Sequence, residues 1–280
     1  MTRVLRTRRE LRAALAESPR PIGLVPTMGW LHAGHRSLMA RSGAENATSV
    51  VTIFVNPRQF DEASDYTRYP RNEARDLAMC GEAGVDLVFA PDVEEVYPPG
   101  FDTTVHVGAV AAPLEGAARP GHFAGVATVV AILFGLVGAE RAYFGQKDAQ
   151  QVMVIRQMAR DLAIPTEVVA CPTVREPDGL ALSSRNVHLD PAQRTAAAVL
   201  HRALAAGRTA WLSGERSGDA LRNVITSTLA EEPLADVEYV SVADATTLAE
   251  VERITAPALV SLAVRFGDTR LIDNELLEPA

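Results

Sequence analysis

The stretch Pro26-Thr27-Met28-Gly29-Trp30-Leu31-His32-Ala33-Gly34-His35 follows directly on an apolar run, Ile22-Gly23-Leu24-Val25. A strand over that run would deliver both histidines to the carboxyl edge of a sheet, where open α/β folds bind ligands. The segment from Gly34 or His35 to about Ala44 predicts a helix, and the N–H groups and partial positive charge at a helix N-terminus favour phosphate. These residues indicate a nucleotide-phosphate site. The alternative is that His32 and His35 are ordinary turn and cap residues.

Composition limits the classes of protein to consider. The chain has 280 residues, of which 48% are hydrophobic, enough for one large or two smaller cores. Its net charge of −8 argues against a protein that coats nucleic acid, so an anion site would be a local basic pocket. Cys80 and Cys171 lie in or beside apolar segments, which predicts two buried core thiols and no disulfide framework.

Two segments bear on localisation. The apolar stretch from Phe123 to Ala139 is interrupted by glycines and falls short of the roughly 20 residues of a membrane span, so it predicts a buried core helix. The arginine-rich N-terminus contains Thr7-Arg8-Arg9-Glu10, a capping box that predicts the start of a helix rather than a transit peptide. We therefore expect a soluble, cytoplasmic protein with no membrane partner.

Short apolar or β-branched runs alternate with helical patterns through the first part of the chain. Predicted strands are Val4–Leu5, Ile22–Val25, Ser49–Val55, Asp86–Ala90, Arg141–Phe144 and Thr166–Ala170, with Val105–Val107 as a further one. Predicted helices are Arg8–Glu17, His35–Ala44, Asn72–Ala83, Phe123–Leu136 and Ala149–Leu162. This alternation predicts an α/β fold with a Rossmann-like, doubly wound parallel sheet.

The pattern changes near residues 173–176. Asp190-Pro191 predicts a helix start, with an alanine-rich helix continuing to about Leu212 and another over 219–231. Strands are predicted at 237–242, 259–266 and 269–272, the last two joined in a hairpin by Gly267-Asp268. We expect two domains, residues 1–174 and a smaller α+β domain over 175–280.

Three further clusters carry groups that suit a nucleotide and a small polar substrate. Ala181-Leu182-Ser183-Ser184-Arg185-Asn186 offers hydroxyls and a guanidinium for phosphate, although a plain loop can hold the same residues. Phe144-Gly145-Gln146-Lys147-Asp148 follows a predicted strand, and its aspartate is either a ribose ligand or a helix cap. Phe54-Val55-Asn56-Pro57-Arg58-Gln59-Phe60 offers amides, or is only a turn signalled by Asn-Pro.

Together the clusters favour an ATP site that stabilises charge developing at the α-phosphate. The sequence contains neither G-x-x-x-x-G-K-[ST] nor G-x-G-x-x-G, so the site is not a P-loop, and a dinucleotide site is disfavoured.

In combination and order, six motifs resemble the pantothenate synthetase (pantoate–β-alanine ligase) family, within the nucleotidyltransferase-like group that carries H-x-G-H. They are PTMGWLHAGH (26–35), FVNPRQF (54–60), YPR…DL (69–77), RPGHFAGV (119–126), FGQKDAQQ (144–151) and DGLALSSRN (178–186). The resemblance implies that pantoate is joined to β-alanine using ATP and Mg²⁺, through a pantoyl adenylate, with release of AMP and pyrophosphate. It also implies a cytoplasmic homodimer with a Rossmann-like ATP- and pantoate-binding domain and a smaller C-terminal lid.

The resemblance also implies a role for each matching residue. His32, His35, Lys147 and Arg185 would be catalytic, with His35 in the proton-donor position. The ATP site would comprise Met28, Gly29, Trp30, Leu31, His32, Ala33, Gly34, His35, Gly145, Gln146, Lys147, Asp148, Val174, Leu182, Ser183, Ser184 and Arg185. Of these, Val174 and Leu182 would flank adenine, and Gly145 and Asp148 would hold ribose. Gln59, Gln151 and Asn56 would bind substrate, and Asp76 matches a position linked to Mg²⁺.

Five positions depart from the common family pattern: Trp30, Ala33, Ala124, Gln146 and Ala149. None removes a proposed catalytic group, so they bear on affinity and rate more than on reaction type. Two other functions are compatible with the residues. One is a different H-x-G-H nucleotidyltransferase, such as a cytidylyltransferase, which keeps the nucleotide on its product. The other is a non-catalytic nucleotide sensor, which would not need all four proposed catalytic groups.

Overall fold

The computed structural model describes residues 2–60 and 63–278. The chain divides into two compact units. The first comprises residues 1–146 and 150–172, and the second comprises residues 147–149 and 173–280. That these units act as an ATP- and pantoate-binding domain and a lid, divided at 174/175, stays a prediction.

A six-stranded parallel sheet forms the centre of the first unit. Its strands are β1 (Arg3–Leu5), β2 (Ile22–Thr27), β3 (Thr48–Ile53), β4 (Leu87–Phe89), β5 (Arg141–Gly145) and β6 (Glu167–Cys171), in the order β1-β4-β3-β2-β5-β6. β3 is buried along nearly its whole length, since helices cover both faces of such a sheet. The predicted α/β, doubly wound parallel fold is confirmed.

Helices connect these strands. They are α1 (Arg8–Ala16), α2 (Ala33–Glu45), α3 (Ala63–Arg68), α4 (Glu73–Glu82), α5 (Val93–Val96), α6 (Glu115–Ala118), α7 (His122–Val137) and α8 (Ala149–Asp161). The apolar helix α7 is almost entirely buried and contributes Phe123, Val130 and Phe134 to the core, as its sequence predicts.

The strand order places the topological switch point between β2 and β5. From β2 the chain proceeds outward through β3 to β4, whereas β5 and β6 lie on the other side of β2. Because the sheet is parallel, the carboxyl ends of β2 and β5 lie at the same edge. A doubly wound sheet binds its ligands in the crevice at this point.

The second unit is built on a three-stranded antiparallel sheet of β7 (Asp236–Asp244), β8 (Ala258–Phe266) and β9 (Thr269–Leu277). Helices α9 (Pro191–Ala196), α10 (Val199–Leu212) and α11 (Gly218–Ala230) complete it. The hairpin between β8 and β9 turns at Gly267, whose φ of 58° is the left-handed conformation that such turns require. Leu200, Ile225 and Leu262 belong to its core. The predicted small α+β unit is confirmed.

Three local predictions are wrong. Val105–Val107 is no strand; instead the Val105 N–H donates to the Thr128 hydroxyl at 3.0 Å, and the segment packs on the core. The alanine-rich helix is interrupted between α9 and α10, because hydrogen bonds there switch to the tighter i−3 pattern, as from Leu200 N–H to the Ala197 carbonyl. Helix α2 begins at Ala33, earlier than predicted.

Other local predictions are confirmed. Thr7 and Glu10 form the capping box of α1, and Asp190 caps α9 with Pro191 following it. Cys80 and Cys171 are buried free thiols. In the part of the chain that the structure describes, the helices are too short or too polar to cross a membrane.

Candidate active site

The histidine pair lies at the start of α2, a few residues after the end of β2. His32 is the N-cap of α2, and its Nδ1 accepts the Gly34 N–H at 3.2 Å. The His35 Nδ1 in turn accepts the His32 N–H at 3.3 Å, which completes a capping box made by two imidazoles. The two ring centroids are 4.1 Å apart. The N-terminus of α2 therefore holds both rings in fixed positions.

This capping arrangement determines which ring nitrogen carries the proton. Each Nδ1 accepts a backbone N–H, so each neutral imidazole carries its proton on Nε2. Both Nε2–H groups are then hydrogen-bond donors at a helix N-terminus, where the helix dipole also favours a bound anion. The structure confirms that the two histidines cap α2, as the sequence alternative held, and the same hydrogen bonds orient their Nε2–H groups as donors.

Asp76 supports the loop that precedes the histidines. Its carboxylate accepts the Trp30 N–H at Oδ2 and the Leu31 N–H at Oδ1, each at 2.8 Å. The side chain lies in the first turn of α4, and the residue is 1% exposed. Asp76, proposed from sequence as a metal position, therefore uses both oxygens to hold backbone amides.

Asn56 is the centre of a buried network around Gln59. Its Nδ2 donates to Gln59 Oε1 and to the Gly125 carbonyl, each at 3.1 Å. Its Oδ1 accepts the Arg58 N–H at 3.2 Å and the Tyr97 hydroxyl at 2.7 Å. The Asn56 side chain is thus fully engaged by the protein, which favours a role in orienting Gln59 over direct contact with substrate.

Gln59 is held from several directions. Its Nε2 lies 2.9 Å from Met28 Sδ, and its backbone carbonyl contacts His122 Nδ1 at 2.8 Å and Arg119 Nη2 at 3.2 Å. The predicted substrate residue Gln59 is therefore beside the predicted ATP-loop residue Met28. Burial raises the pKa of Tyr97 to about 12, so its phenol stays protonated as the donor to Asn56.

Two neighbouring glutamines on α8 have different environments. The buried Gln150 donates to the carbonyls of Val110 and Pro113 and accepts the Glu115 N–H, so it secures the 110–115 segment. Gln151 is half-buried and makes no side-chain hydrogen bond to any of residues 2–60 or 63–278. The amide of Gln151 is accordingly the one suited to a ligand.

The remaining predicted ATP residues lie mainly in the second unit. Gly145 ends β5 and Gln146 begins a 3-10 helix over Gln146–Asp148. Lys147 is largely buried, its side chain 17% exposed, and its Nζ lies 3.2 Å from Asp148 Oδ1. The Asn274 amide donates to the Lys147 carbonyl at 2.8 Å, so β9 fixes the backbone that carries this lysine.

The loop that contains Ser183, Ser184 and Arg185 follows a short hairpin. The Leu182 N–H donates to the Val174 carbonyl at 2.9 Å, which brings the two predicted adenine-flanking residues together. Ser183 then caps a 3-10 helix, Ser184–His188, by accepting the Arg185 N–H at 3.2 Å. These side chains are half-buried, so the loop presents hydroxyls and a guanidinium at a partly enclosed position.

A buried ion pair secures this hairpin. Arg175 donates to Asp273 at 2.5 and 3.0 Å and to the Gly179 carbonyl at 3.1 Å. Asp273 and Asn274 are adjacent on β9, so one strand anchors both the hairpin and the Lys147 backbone.

The structure thus gathers the predicted residues into two sets, each within one unit. The first set is Met28, Gly29, Trp30, Leu31, His32, Ala33, Gly34, His35, Asn56, Gln59, Asp76, Gly145, Gln146 and Gln151. The second is Lys147, Asp148, Val174, Leu182, Ser183, Ser184 and Arg185. Sequence reasoning missed the supporting residues Tyr97, Arg175, Asp273 and Asn274. No local motif marks these four, because each acts on a segment distant in sequence.

Known proteins resemble this chain over almost its whole length. The family model described as pantoate-beta-alanine ligase matches residues 3–276. The pantothenate synthetase of Roseiflexus sp. (strain RS-1) is 60% identical over 276 residues, covering 99% of each chain. A crystal structure of pantothenate synthetase from Thermus thermophilus superposes with a TM-score of 0.95 at 50% identity, covering 99% of this chain and 100% of that one. The structure of pantoate-beta-alanine ligase from Francisella tularensis, complexed with beta-gamma ATP and beta-alanine, gives a TM-score of 0.81 at 33% identity, covering 99% and 98%.

The chain belongs to the pantoate–β-alanine ligase family. Its membership confirms the resemblance seen in the sequence, and with it the predicted enzyme class.

Proposed function

We propose that this chain condenses pantoate with β-alanine in two steps, at the cost of converting ATP to AMP and pyrophosphate. A carboxylate does not form an amide with an amine at neutral pH, because oxide is too poor a leaving group. Attack of the pantoate carboxylate on the α-phosphate expels pyrophosphate and gives pantoyl adenylate. The β-alanine amine then attacks the acyl carbon, AMP leaves, and the amine loses a proton.

The observation that carries this proposal is the imidazole pair at the N-terminus of α2. Because both Nδ1 atoms accept backbone N–H groups, His32 and His35 present Nε2–H donors. Such donors stabilise the charge that builds on the phosphate oxygens during attack and on the departing pyrophosphate. A neutral imidazole is too weak an acid to give up its Nε2 proton, so both histidines act as hydrogen-bond donors in this scheme, including His35 in the position that the family resemblance gives to the proton donor.

The second set of residues supplies further positive charge and hydrogen-bond donors for the phosphates. Arg185 supplies a permanently charged guanidinium, Lys147 supplies its amine, and the hydroxyls of Ser183 and Ser184 add neutral donors. Val174 and Leu182 flank adenine in the proposed assignment, and Gly145 and Asp148 hold ribose. Met28 to His35 and Gln146 complete the proposed ATP contacts. The fixed Lys147 backbone and the capped serine loop support this assignment.

Pantoate is assigned to the amides of Gln59 and Gln151, with Gln59 also near β-alanine. An uncharged amide both donates and accepts, which suits a molecule that carries hydroxyl groups and a carboxylate. The network that runs from Tyr97 through Asn56 to Gln59 supports the assignment, since it holds the Gln59 amide in one orientation.

Mg²⁺ is proposed as part of the substrate, in complex with ATP, where it would offset phosphate charge. Asp76 fits poorly as its ligand, because the residue is 1% exposed and each carboxylate oxygen already accepts a loop amide. The mechanism therefore assigns no step to a protein-bound cation.

We also propose a cytoplasmic homodimer, as the family resemblance implies, and no nucleic-acid partner, as the net charge of −8 indicates. Light scattering of the purified chain, whose protomer mass is 30.0 kDa, would test the assembly. A mass twice that value is expected, and a monomer at working concentration would contradict the proposed dimer.

The function is tested by pyrophosphate release from ATP and Mg²⁺ with pantoate, with and without β-alanine, and by product masses. Sustained release only with both substrates, forming AMP and pantothenate, is the expected result. A cytidylyltransferase would instead keep the nucleotide on its product. A sensor would bind ATP and release no pyrophosphate.

A further inference from the structure

Asp76 contacts a loop whose backbone is strained. Gly29 and Trp30 have consecutive positive φ angles of 81° and 49°, and a bulky side chain rarely adopts this conformation. The Trp30 and Leu31 N–H groups both point at the Asp76 carboxylate, each at 2.8 Å. A Cβ at Gly29 would lie 3.0 Å from Asp76 Oδ2, so the loop backbone closely covers the carboxylate.

The strained loop leads directly into the histidine pair. Leu31 precedes His32, whose backbone N–H and Nδ1 form the capping box with His35. Thr27 fixes the start of the loop by accepting the Gly29 N–H at 3.2 Å. Asp76 fixes its far end, so the direction in which the chain enters His32 depends on this carboxylate.

We infer that Asp76 is a positioning residue, which holds the 29–31 loop in its strained conformation and thereby aims the His32 and His35 donors, and is not a magnesium ligand. The inference rests on the proposed function of the histidines. A cation that reached either oxygen would have to share it with a loop amide and enter a position that is 1% exposed.

The fluorescence of Trp30 reports on the contact between Asp76 and the 29–31 loop. The chain has two tryptophans, and Trp211 is buried in the core of the second unit, where it gives a constant background. The guanidinium of Arg75, a residue of α4, lies over the Trp30 ring at 5.0 Å from its centre. Acrylamide quenching and anisotropy of Trp30 can therefore be measured in EDTA, without substrate or metal.

The test variant is Asp76→Asn, which keeps one acceptor oxygen and turns an amide nitrogen toward an N–H donor. We expect stronger quenching and faster local motion of Trp30 in EDTA. We also expect kcat per folded molecule to fall by roughly 100-fold, since a catalytic group is displaced. The apparent activation constant for Mg²⁺ should stay at the wild-type value.

Glu73→Gln is the matched control, because Glu73 lies in the same first turn of α4 but pairs with Arg6 at the surface. It should leave Trp30 quenching and kcat unchanged. Wild-type quenching of Trp30 in Asp76→Asn would overturn the inference. So would an activation constant for Mg²⁺ raised by about 10-fold or more, as loss of a metal ligand or its close support produces. Lower stability of Asp76→Asn with an unchanged kcat per folded molecule would also overturn the inference, because it would show that Asp76 has only a structural role.

If Asp76→Asn does not fold, a crystal of the wild-type enzyme with Mn²⁺ and a non-hydrolysable ATP analogue decides the question. An anomalous peak on the nucleotide phosphates, with Asp76 still bound to the loop amides, supports the inference. A peak within roughly 2.3 Å of an Asp76 oxygen overturns it. The fluorescence measurement needs no turnover, so it stands separately from failure of the proposed reaction.

Discussion

Gly125→Ala tests whether the close packing of α7 against the Gln59 segment maintains the proposed substrate site. Gly125 lies in the first half of α7, beneath the 3-10 helix Pro57–Gln59. A Cβ at Gly125 would lie 2.1 Å from the Arg58 carbonyl oxygen and 2.8 Å from the Gln59 N. Both atoms belong to the backbone, so no rotamer change relieves the contact.

The magnitude follows from this geometry. Ordinary contacts of a Cβ begin near 3.4 Å, so the two segments must separate by more than 1 Å. Overpacking of this kind costs about 1–3 kcal/mol, partly offset by the roughly 0.5–1 kcal/mol that alanine gains over glycine in a helix. The separation also stretches the hydrogen bond from Asn56 to the Gly125 carbonyl.

The assay combines urea unfolding with steady-state kinetics. We expect a net loss of about 1–2 kcal/mol in the free energy of unfolding, and a fall of roughly 100-fold in kcat/KM for pantoate, because a displacement near 1 Å misplaces Gln59. Gly135→Ala is the control on the same helix. Its Cβ meets nothing within 4 Å, so it should gain about 0.5–1 kcal/mol and leave kinetics unchanged.

Wild-type stability together with wild-type kcat/KM in Gly125→Ala would refute the reasoning. Loss of stability with intact kcat/KM would leave the packing account standing but remove Gln59 from the substrate site.

Three further changes test other parts of the account. His35→Ala should fold normally and lose at least about 100-fold in turnover, because a charge-stabilising donor is removed; near-normal turnover in a well-folded variant would contradict the assigned role. Gln151→Ala should raise the Michaelis constant for pantoate more than that for ATP, and equal effects in steady-state kinetics would argue against a pantoate contact. Asp273→Asn weakens the buried pair with Arg175 and should cost about 3 kcal/mol of stability in thermal or urea unfolding; a loss within error of zero would show that Arg175 finds another partner.

The sequence predicts the parts of this fold that depend on local patterns. The strands of the parallel sheet are apolar or β-branched runs, and α7 is apolar on nearly all sides. Both patterns are evident in the sequence, because a buried strand or helix needs such residues whichever segment packs against it. The capping box at Thr7 and the N-cap at Asp190 are short-range hydrogen-bond patterns, and both are evident in the sequence. Val105–Val107 fails for the converse reason: its alternation resembles a strand, but it packs on the core through side chains.

The same distinction applies to the candidate site. Polar residues that follow the ends of strands are evident in the sequence, and the two histidines at the head of α2 belong to this kind. The role of Asp76 is not evident, because the amides that it binds lie 45 and 46 residues away. Tyr97 and Asn274 are missed for the same reason, since they act on Asn56 and Lys147 across 41 and 127 residues.

The departures from the family pattern also become clearer with the structure. Trp30 has a partner for its ring, because the Arg75 guanidinium lies over it at 5.0 Å from the ring centre. Ala149 is buried at the start of α8, and the Ala124 carbonyl accepts the Thr128 hydroxyl. Nothing in the structure explains the replacements at Ala33 and Gln146.

The central claim, that the carboxylate of pantoate is activated as an adenylate, is tested most directly by following its oxygen. Pantoate labelled with ¹⁸O in the carboxylate is incubated with ATP, Mg²⁺ and β-alanine, and the products are analysed by mass. Attack on the α-phosphate followed by aminolysis transfers one carboxylate oxygen to AMP, so each AMP formed should carry a single label. Label in inorganic phosphate with none in AMP, or unlabelled AMP formed together with pantothenate, would contradict the mechanism.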